Sequence, residues 1–262
     1  MLFFYIIIFI LGLAVGSFSN CLAERWGQDK SMKGRSCCPK CSHQLAWYDN
    51  IPLLSFCLLK RRCRYCRQPI AWQYFLVELI VGLLFVLAFY FSPWRFELYW
   101  QSALWPSALT LLRNWLLIGW LNIIFLMDLR YYVIVDKVSL TGAAMMLAFN
   151  LLLGFSWQNL ALAGIIGAGF FLLQFIVSQG KWIGGGDIRL GLLMGLALGW
   201  PQVLVAMMLA YLLGAVCGVG LMLTGKKQLS SKLPFGTFLS VATIICLFFG
   251  QQLLIWYLGL YN

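Results

Sequence analysis

The chain has 262 residues, 62% of them hydrophobic and only 10% charged, with 19 Lys and Arg against eight acids for a net charge of +11. That composition excludes a soluble globular domain and reads as an all-α polytopic membrane protein. The positive balance follows the loops between apolar runs and forms no basic-aromatic stripe, so it is read as membrane topology and not as a nucleic-acid surface.

A span needs roughly 20 apolar residues, and the sequence predicts about eight transmembrane helices, near 2–22, 74–92, 104–127, 133–154, 157–178, 188–200, 202–224 and 235–258. The first run lacks a basic start and a small-residue cleavage context, so it is read as a retained span and not as a signal peptide. With the N-terminus outside, the segments 23–73, 128–137, 179–189 and 225–233 face the cytoplasm. They hold 17 of the 19 basic residues: Arg25, Lys30, Lys33, Arg35, Lys40, Lys60, Arg61, Arg62, Arg64, Arg67, Arg130, Lys137, Lys181, Arg189, Lys226, Lys227 and Lys232. Arg95 and Arg113 fall outside. The expected organisation is a first transmembrane helix over 1–22, a cytoplasmic metal-binding domain over 23–73 and a second membrane domain over 74–262.

The segment 23–73 is too short to build a large core and needs a staple. Cys38-Pro39-Lys40-Cys41 and Cys63-Arg64-Tyr65-Cys66 form two C-x-x-C pairs with 21 residues between them. This is zinc-ribbon spacing, each pair a knuckle giving two thiolates to one tetrahedral Zn²⁺. The predicted cytoplasmic placement disfavours disulfides. Cys37 and His43 lie near enough to compete as ligands, whereas Cys21, Cys57, Cys217 and Cys246 sit in apolar contexts and read as small hydrophobes.

The acids come next. Glu78 lies just inside the second predicted span, where a functional role and pairing at the span end are equally open. Asp128 ends the apolar run from Leu121, and Asp187 follows Gly184-Gly185-Gly186 at the start of another. Two carboxylates near one membrane face are the reagents of an aspartic protease: one holds a proton, the other stays charged and activates water. The three glycines would let the backbone adopt conformations closed to other residues and bring a substrate strand or the second span close to Asp187. Asp187 also reads as a helix cap, Asp128 as an interfacial charge paired with Arg130 or Arg189, and Asp136 competes as the second acid. Asn20, Asn122 and Asn150 read as interhelical hydrogen-bond partners, and the glycines of the fifth to seventh runs as sites of close helix packing.

These motifs are collinear with those of a known family. Gly16-Ser17-Phe18-Ser19-Asn20 with Arg25, the arm from Arg35 to Cys41, the stretch from Trp47 to Ser55, the second arm Cys63 to Cys66, Gly184-Gly185-Gly186-Asp187 and Pro234-Phe235-Gly236 resemble the bacterial type IV prepilin peptidases over nearly the whole chain. The resemblance implies that Asp128, eight residues before Asp136, is the first catalytic acid and Asp187 the second. It further implies cleavage of the basic leader of type IV prepilins or pseudopilins on the cytoplasmic side of the bacterial inner membrane. Methylation of the new N-terminus from S-adenosylmethionine would follow, with the 23–73 domain as the region of methyl transfer. The sequence departs from the family at Arg130, Val135 and Arg189, and at Arg61, where glycine is usual in a loop linked with methyl transfer. The rival readings are a proton-coupled transporter with a regulatory zinc domain and a non-catalytic assembly scaffold. Nothing in the sequence specifies an oligomeric state.

Overall fold

Hydrocarbon offers a backbone no hydrogen-bond partner, so apolar runs of this length close their own bonds as helices. The computed structural model describes residues 2–28, 34–92, 104–224 and 233–259. Lys30, Lys33, Arg95, Lys226, Lys227 and Lys232 lie outside the described residues. The helices are α1 (Leu2–Gly27), the short α2 (Leu54–Leu58), α3 (Trp72–Phe91), α4 (Leu104–Tyr131), α5 (Asp136–Leu152), α6 (Trp157–Ser178), α7 (Gly185–Leu198), α8 (Gln202–Leu223) and α9 (Phe235–Gly259). A 3₁₀ turn covers Trp47–Asn50. The described residues contain no strand, only two isolated antiparallel bridges, Cys37 with Gln44 and Arg62 with Pro69.

A helix stands at each of the eight predicted positions, and six are long and apolar enough to cross a membrane: α1, α3, α4, α6, α8 and α9. The other two are shorter, α5 with 17 residues and α7 with 14. At 1.5 Å per residue α7 covers about 21 Å, well short of the ~30 Å hydrocarbon layer. Its terminal carbonyls are satisfied from neighbouring elements. Asn150 Nδ2 donates to Leu196 O at 2.6 Å and Ala197 O at 3.2 Å, and Arg113 Nη2 donates to Ala197 O at 3.4 Å. Asn159 exchanges two bonds of 3.0 Å with the Trp200 backbone just beyond. The orphan acceptors of a helix end are thereby paired inside the protein.

The chain divides into two compact units, Met1–Phe96 and Glu97–Asn262. In the first, α1 packs on α3 through Gly12, Gly16 and Gly82. A Cβ on Gly12 would lie 2.8 Å from Gly82 Cα, and one on Gly16 would lie 2.9 Å from Glu78 Cα. These glycines are spaced as a small-xxx-small seam, which lets two backbones approach without side chains between them. In the second unit the expectation of close packing through glycines holds for α6 and α7: a Cβ on Gly191 would lie 2.5 Å from Gly167 O, and one on Gly195 would lie 2.2 Å from Ala163 O. That unit's core includes the fully buried Leu117, Leu121, Phe171, Leu193 and Leu239.

Candidate active site and metal centre

Between α1 and α3 the first unit carries two knuckles built alike. Cys38 N donates to His43 O, Ser42 N to Cys38 O and Leu45 N to Ser36 O. The same three bonds recur 25 residues later as Cys63 N to Gln68 O, Arg67 N to Cys63 O and Ile70 N to Arg61 O, all at 2.8–2.9 Å. Ser42 (φ 56°) and Arg67 (φ 58°) close the two turns in the left-handed region.

The knuckles bring Cys38, Cys41, Cys63 and Cys66 together, all four Sγ atoms lying within 4.8 Å of one another. Cys38 Sγ and Cys66 Sγ are 3.9 Å apart. A tetrahedral site with Zn–S bonds of ~2.3 Å requires sulfurs about 3.8 Å apart, so the donor set fits zinc, and no disulfide joins any of the nine cysteines. Burial works against ionising Cys38, but the Cys41 and Lys40 amides and the neighbouring thiols outweigh it and bring its pKa down to about 7. Cys66 goes the other way: the Gln68 amide lowers its pKa, yet desolvation and the three other thiols push it up to about 11. Cys37 and His43 stay outside the group. The His43 ring instead stacks on Tyr65, with centroids 3.7 Å apart.

The stretch from Trp47 to Ser55 is fixed against this centre. Asp49, its side chain 2% exposed, accepts Arg64 Nε at 2.8 Å, the Tyr65 hydroxyl at 3.3 Å and Ala46 N at 3.4 Å. Leu54 N reaches back to Pro52 O at 2.6 Å around Leu53, whose φ of 57° and ψ of −47° lie in a region few L-residues adopt. The Leu53 amide is held by buried Glu78 Oε2 at 2.9 Å. Glu78 is thus bonded to the backbone of this stretch within the first unit. Glu24 on the facing helix accepts the Tyr74 hydroxyl at 2.6 Å, and Asn20 Nδ2 donates to Tyr74 O. Arg61 sits at φ 61° with its guanidinium over the Trp72 ring at 5.6 Å. Its backbone has the left-handed shape that glycine adopts at no steric cost.

In the second unit Asp128 occupies the last turn of α4 and Asp187 the first turn of α7, each only 6% exposed. Asp128 Oδ2 accepts Thr237 N at 2.8 Å, and the Gly236 amide also faces it. Asp187 Oδ2 accepts Gly184 N at 3.1 Å, so the helix-cap role is present as well. The two acids flank one side chain: Ile134 lies against Gly186, the residue before Asp187, and against Gly236, where a Cβ would meet Asp128 Oδ2 at 3.0 Å. Tyr211 on α8 packs its ring on Phe235 at the start of α9, with centroids 4.9 Å apart. The Tyr211 hydroxyl donates to Gln174 at 2.8 Å. Asp136 is elsewhere: its side chain is 54% exposed and paired with Arg189.

The expectation that the glycines before Asp187 adopt special backbone shapes is corrected. Gly184 has φ −79° and ψ 155°, and Gly185 and Gly186 are ordinary helix. None of the three is among the glycines with positive φ. What Gly186 supplies is room: a Cβ there would lie 2.7 Å from Ile134 Cβ. Sequence reasoning missed Ile134, Thr237, Tyr211 and Gln174. Of these only Thr237 carried a signal, by following the Pro234-Phe235-Gly236 element.

Residues 10–92 match the bacterial peptidase A24 N-terminal domain, and residues 115–219 match the type IV leader peptidase family. A prepilin leader peptidase/N-methyltransferase of Aeromonas hydrophila is 32% identical over 97% of this chain and 94% of its own length. The chain belongs to the type IV leader peptidase family. A relative of the same name from Bacillus subtilis (strain 168) is 30% identical over 96% of this chain and 97% of its own. One from Myxococcus xanthus (strain DK1622) is 35% identical over 85% of this chain and 65% of its own. No solved structure matches. The chain is therefore an enzyme of a protease family, and its six long apolar helices make it a multi-pass membrane protein.

Proposed function

We propose that this peptidase removes the basic leader of type IV prepilins or pseudopilins, using Asp128 and Asp187 as its catalytic pair. The observation that carries the reading is that these two acids, 59 positions apart in sequence, are both buried and flank the same side chain, Ile134. One carboxylate takes a proton from water as the water oxygen attacks the scissile carbonyl carbon. The other, protonated, donates a hydrogen bond to the carbonyl oxygen. Collapse of the tetrahedral intermediate breaks the C–N bond, and the proton passes to the leaving amine. Placing 17 of the 19 basic residues in one set of loops supports cleavage on the cytoplasmic side of the inner membrane, and it supports eight membrane-inserted helices, α5 and α7 being the short ones.

Cys38, Cys41, Cys63 and Cys66 would hold a structural zinc ion that ties the two knuckles together. The relatives' name, N-methyltransferase, supports methylation of the new N-terminus as a second activity. S-adenosylmethionine would supply the electrophilic methyl group. The carboxylates of Glu24 and Glu78, held on facing helices of the first unit, suit the cationic sulfonium and the incoming amine.

Co-expression with a prepilin tests the peptidase reading. Asp128→Asn and Asp187→Asn should each abolish the electrophoretic shift of leader removal, and normal processing by either variant overturns the assignment. Mass measurement of the mature N-terminus tests methylation separately.

A further inference from the structure

Ile134 lies in the short connection between α4 and α5, in contact with both halves of the site. On one side is Gly186, the residue before Asp187: a Cβ there would meet Ile134 Cβ at 2.7 Å and its Cγ1 and Cδ1 at 3.3 Å. On the other side is Gly236, the residue before Thr237, whose amide holds Asp128. A Cβ on Gly236 would meet Ile134 Cδ1 at 2.8 Å, Asp128 Oδ2 at 3.0 Å and Asp128 Cγ at 3.1 Å. One side chain thus fills the gap between the α7 and α9 starts, and only glycine fits against it at either end.

The connection itself is fixed. Tyr132 N bonds to Asp128 O at 3.0 Å, Val135 O accepts Val138 N and Ser139 N at the start of α5, and Asp136 is paired with Arg189 two positions past Asp187. A β-branched side chain has little χ1 freedom, which makes isoleucine a stiff insert. We propose that Ile134 is the spacer that sets the separation of the Asp128 and Asp187 carboxylates, and hence a positioning residue for peptide cleavage. The inference rests on the dyad reading. A misplacement of about 1 Å in such a site costs on the order of a hundredfold in rate.

The geometry makes an asymmetric prediction. Valine lacks Cδ1 but keeps Cβ, so Ile134→Val relieves the Ile134 contact at Gly236, while the approach to Asp128 Oδ2 at 3.0 Å stays, and leaves the contact at Gly186. Processing of a purified prepilin by full-length enzyme in detergent, with kcat and KM measured separately, is the readout. Gly236→Ala and Gly186→Ala should each lower kcat at least about tenfold. Ile134→Val added to Gly236→Ala should recover part of that loss, the contact with Asp128 remaining, and added to Gly186→Ala it should recover none. Equal rescue of both, or of neither, overturns the proposal.

Should the glycine variants fail to accumulate, the single variants decide. Stepwise falls in kcat from Ile134→Val to Ile134→Ala, at unchanged KM and unchanged melting temperature, support the spacer. Wild-type kcat in both variants overturns it. Asp128→Asn and Asp187→Asn serve as the separate control: if they are inactive while Ile134 shows no such pattern, the spacer fails and the dyad stands. If they are active, the dyad reading is what fails.

Discussion

The Asp128 carboxylate accepts the backbone amide of Thr237 at 2.8 Å across 109 positions of sequence. The end of α4 is thereby tied to the start of α9, and the orientation of one acid depends on a group that no side chain supplies. Thr237 Oγ1 turns away to Pro234 O at 2.6 Å, so amide and hydroxyl have separate roles.

Those roles can be separated by substitution. Thr237→Pro removes the amide proton in the first helical turn, where proline is otherwise tolerated, and prepilin cleavage should fall on the order of ten- to a hundredfold. Thr237→Ala keeps the amide and should cleave within a few-fold of wild type. Parity between the two variants would refute the role of the amide.

Asp136 provides the contrast among the acids. Its ion pair with Arg189 is exposed on both sides, and exposed pairs contribute at most about 1 kcal/mol. Asp136→Asn should therefore retain prepilin processing within a few-fold, whereas Asp128→Asn and Asp187→Asn should show none in the same co-expression assay.

Asn150 tests the ending of α7. Its Nδ2 serves the carbonyls of Leu196 and Ala197 in a buried setting, and a buried acceptor left unmet costs about 1–3 kcal/mol. Asn150→Leu, with the same number of side-chain heavy atoms but no donor, should lower the melting temperature in detergent by several degrees, and an unchanged melting curve would show that the carbonyls find other donors.

The cysteine cluster predicts how metal retention varies with pH. A metal ion needs all four sulfurs as thiolates, so protons compete with it, and the Cys38 thiol, at about 7, is the readiest to ionise. Occupancy should fall as the pH drops and protons displace the metal from the sulfurs, Cys38, lowered to about 7, keeping its thiolate longer than Cys66, raised to about 11. A chromogenic chelator added between pH 8 and 5 should register release that grows with acidity, and metal analysis of Cys63→Ser should find little zinc at any pH.

Much of this was legible in the sequence because its signals are side chains in a pattern. Eight apolar runs placed eight helices, and two C-x-x-C pairs placed four sulfurs in one cluster. Span length was less legible for α7, because the donors that end it, Asn150 and Arg113, lie on other elements. Charge count alone left Asp136 open beside Asp128; resemblance chose between them, and the Asp136–Arg189 pair shows where the rejected acid sits. The Ile134 insert left no trace, since isoleucine is ordinary in such a chain, and the Thr237 amide was marked only by the Pro234-Phe235-Gly236 element before it. Of the glycines before Asp187, Gly186 makes room for Ile134, and none of the three has a positive φ.

The short α7 also bears on how the chain enters the bilayer. A segment whose terminal carbonyls need Asn150, Arg113 and Asn159 is a poor passenger in lipid by itself. All three donors precede it in the sequence, so translation delivers the partners before the dependent helix emerges. Moving α7 ahead of α4 by circular permutation would leave it waiting in the membrane with its end unmet.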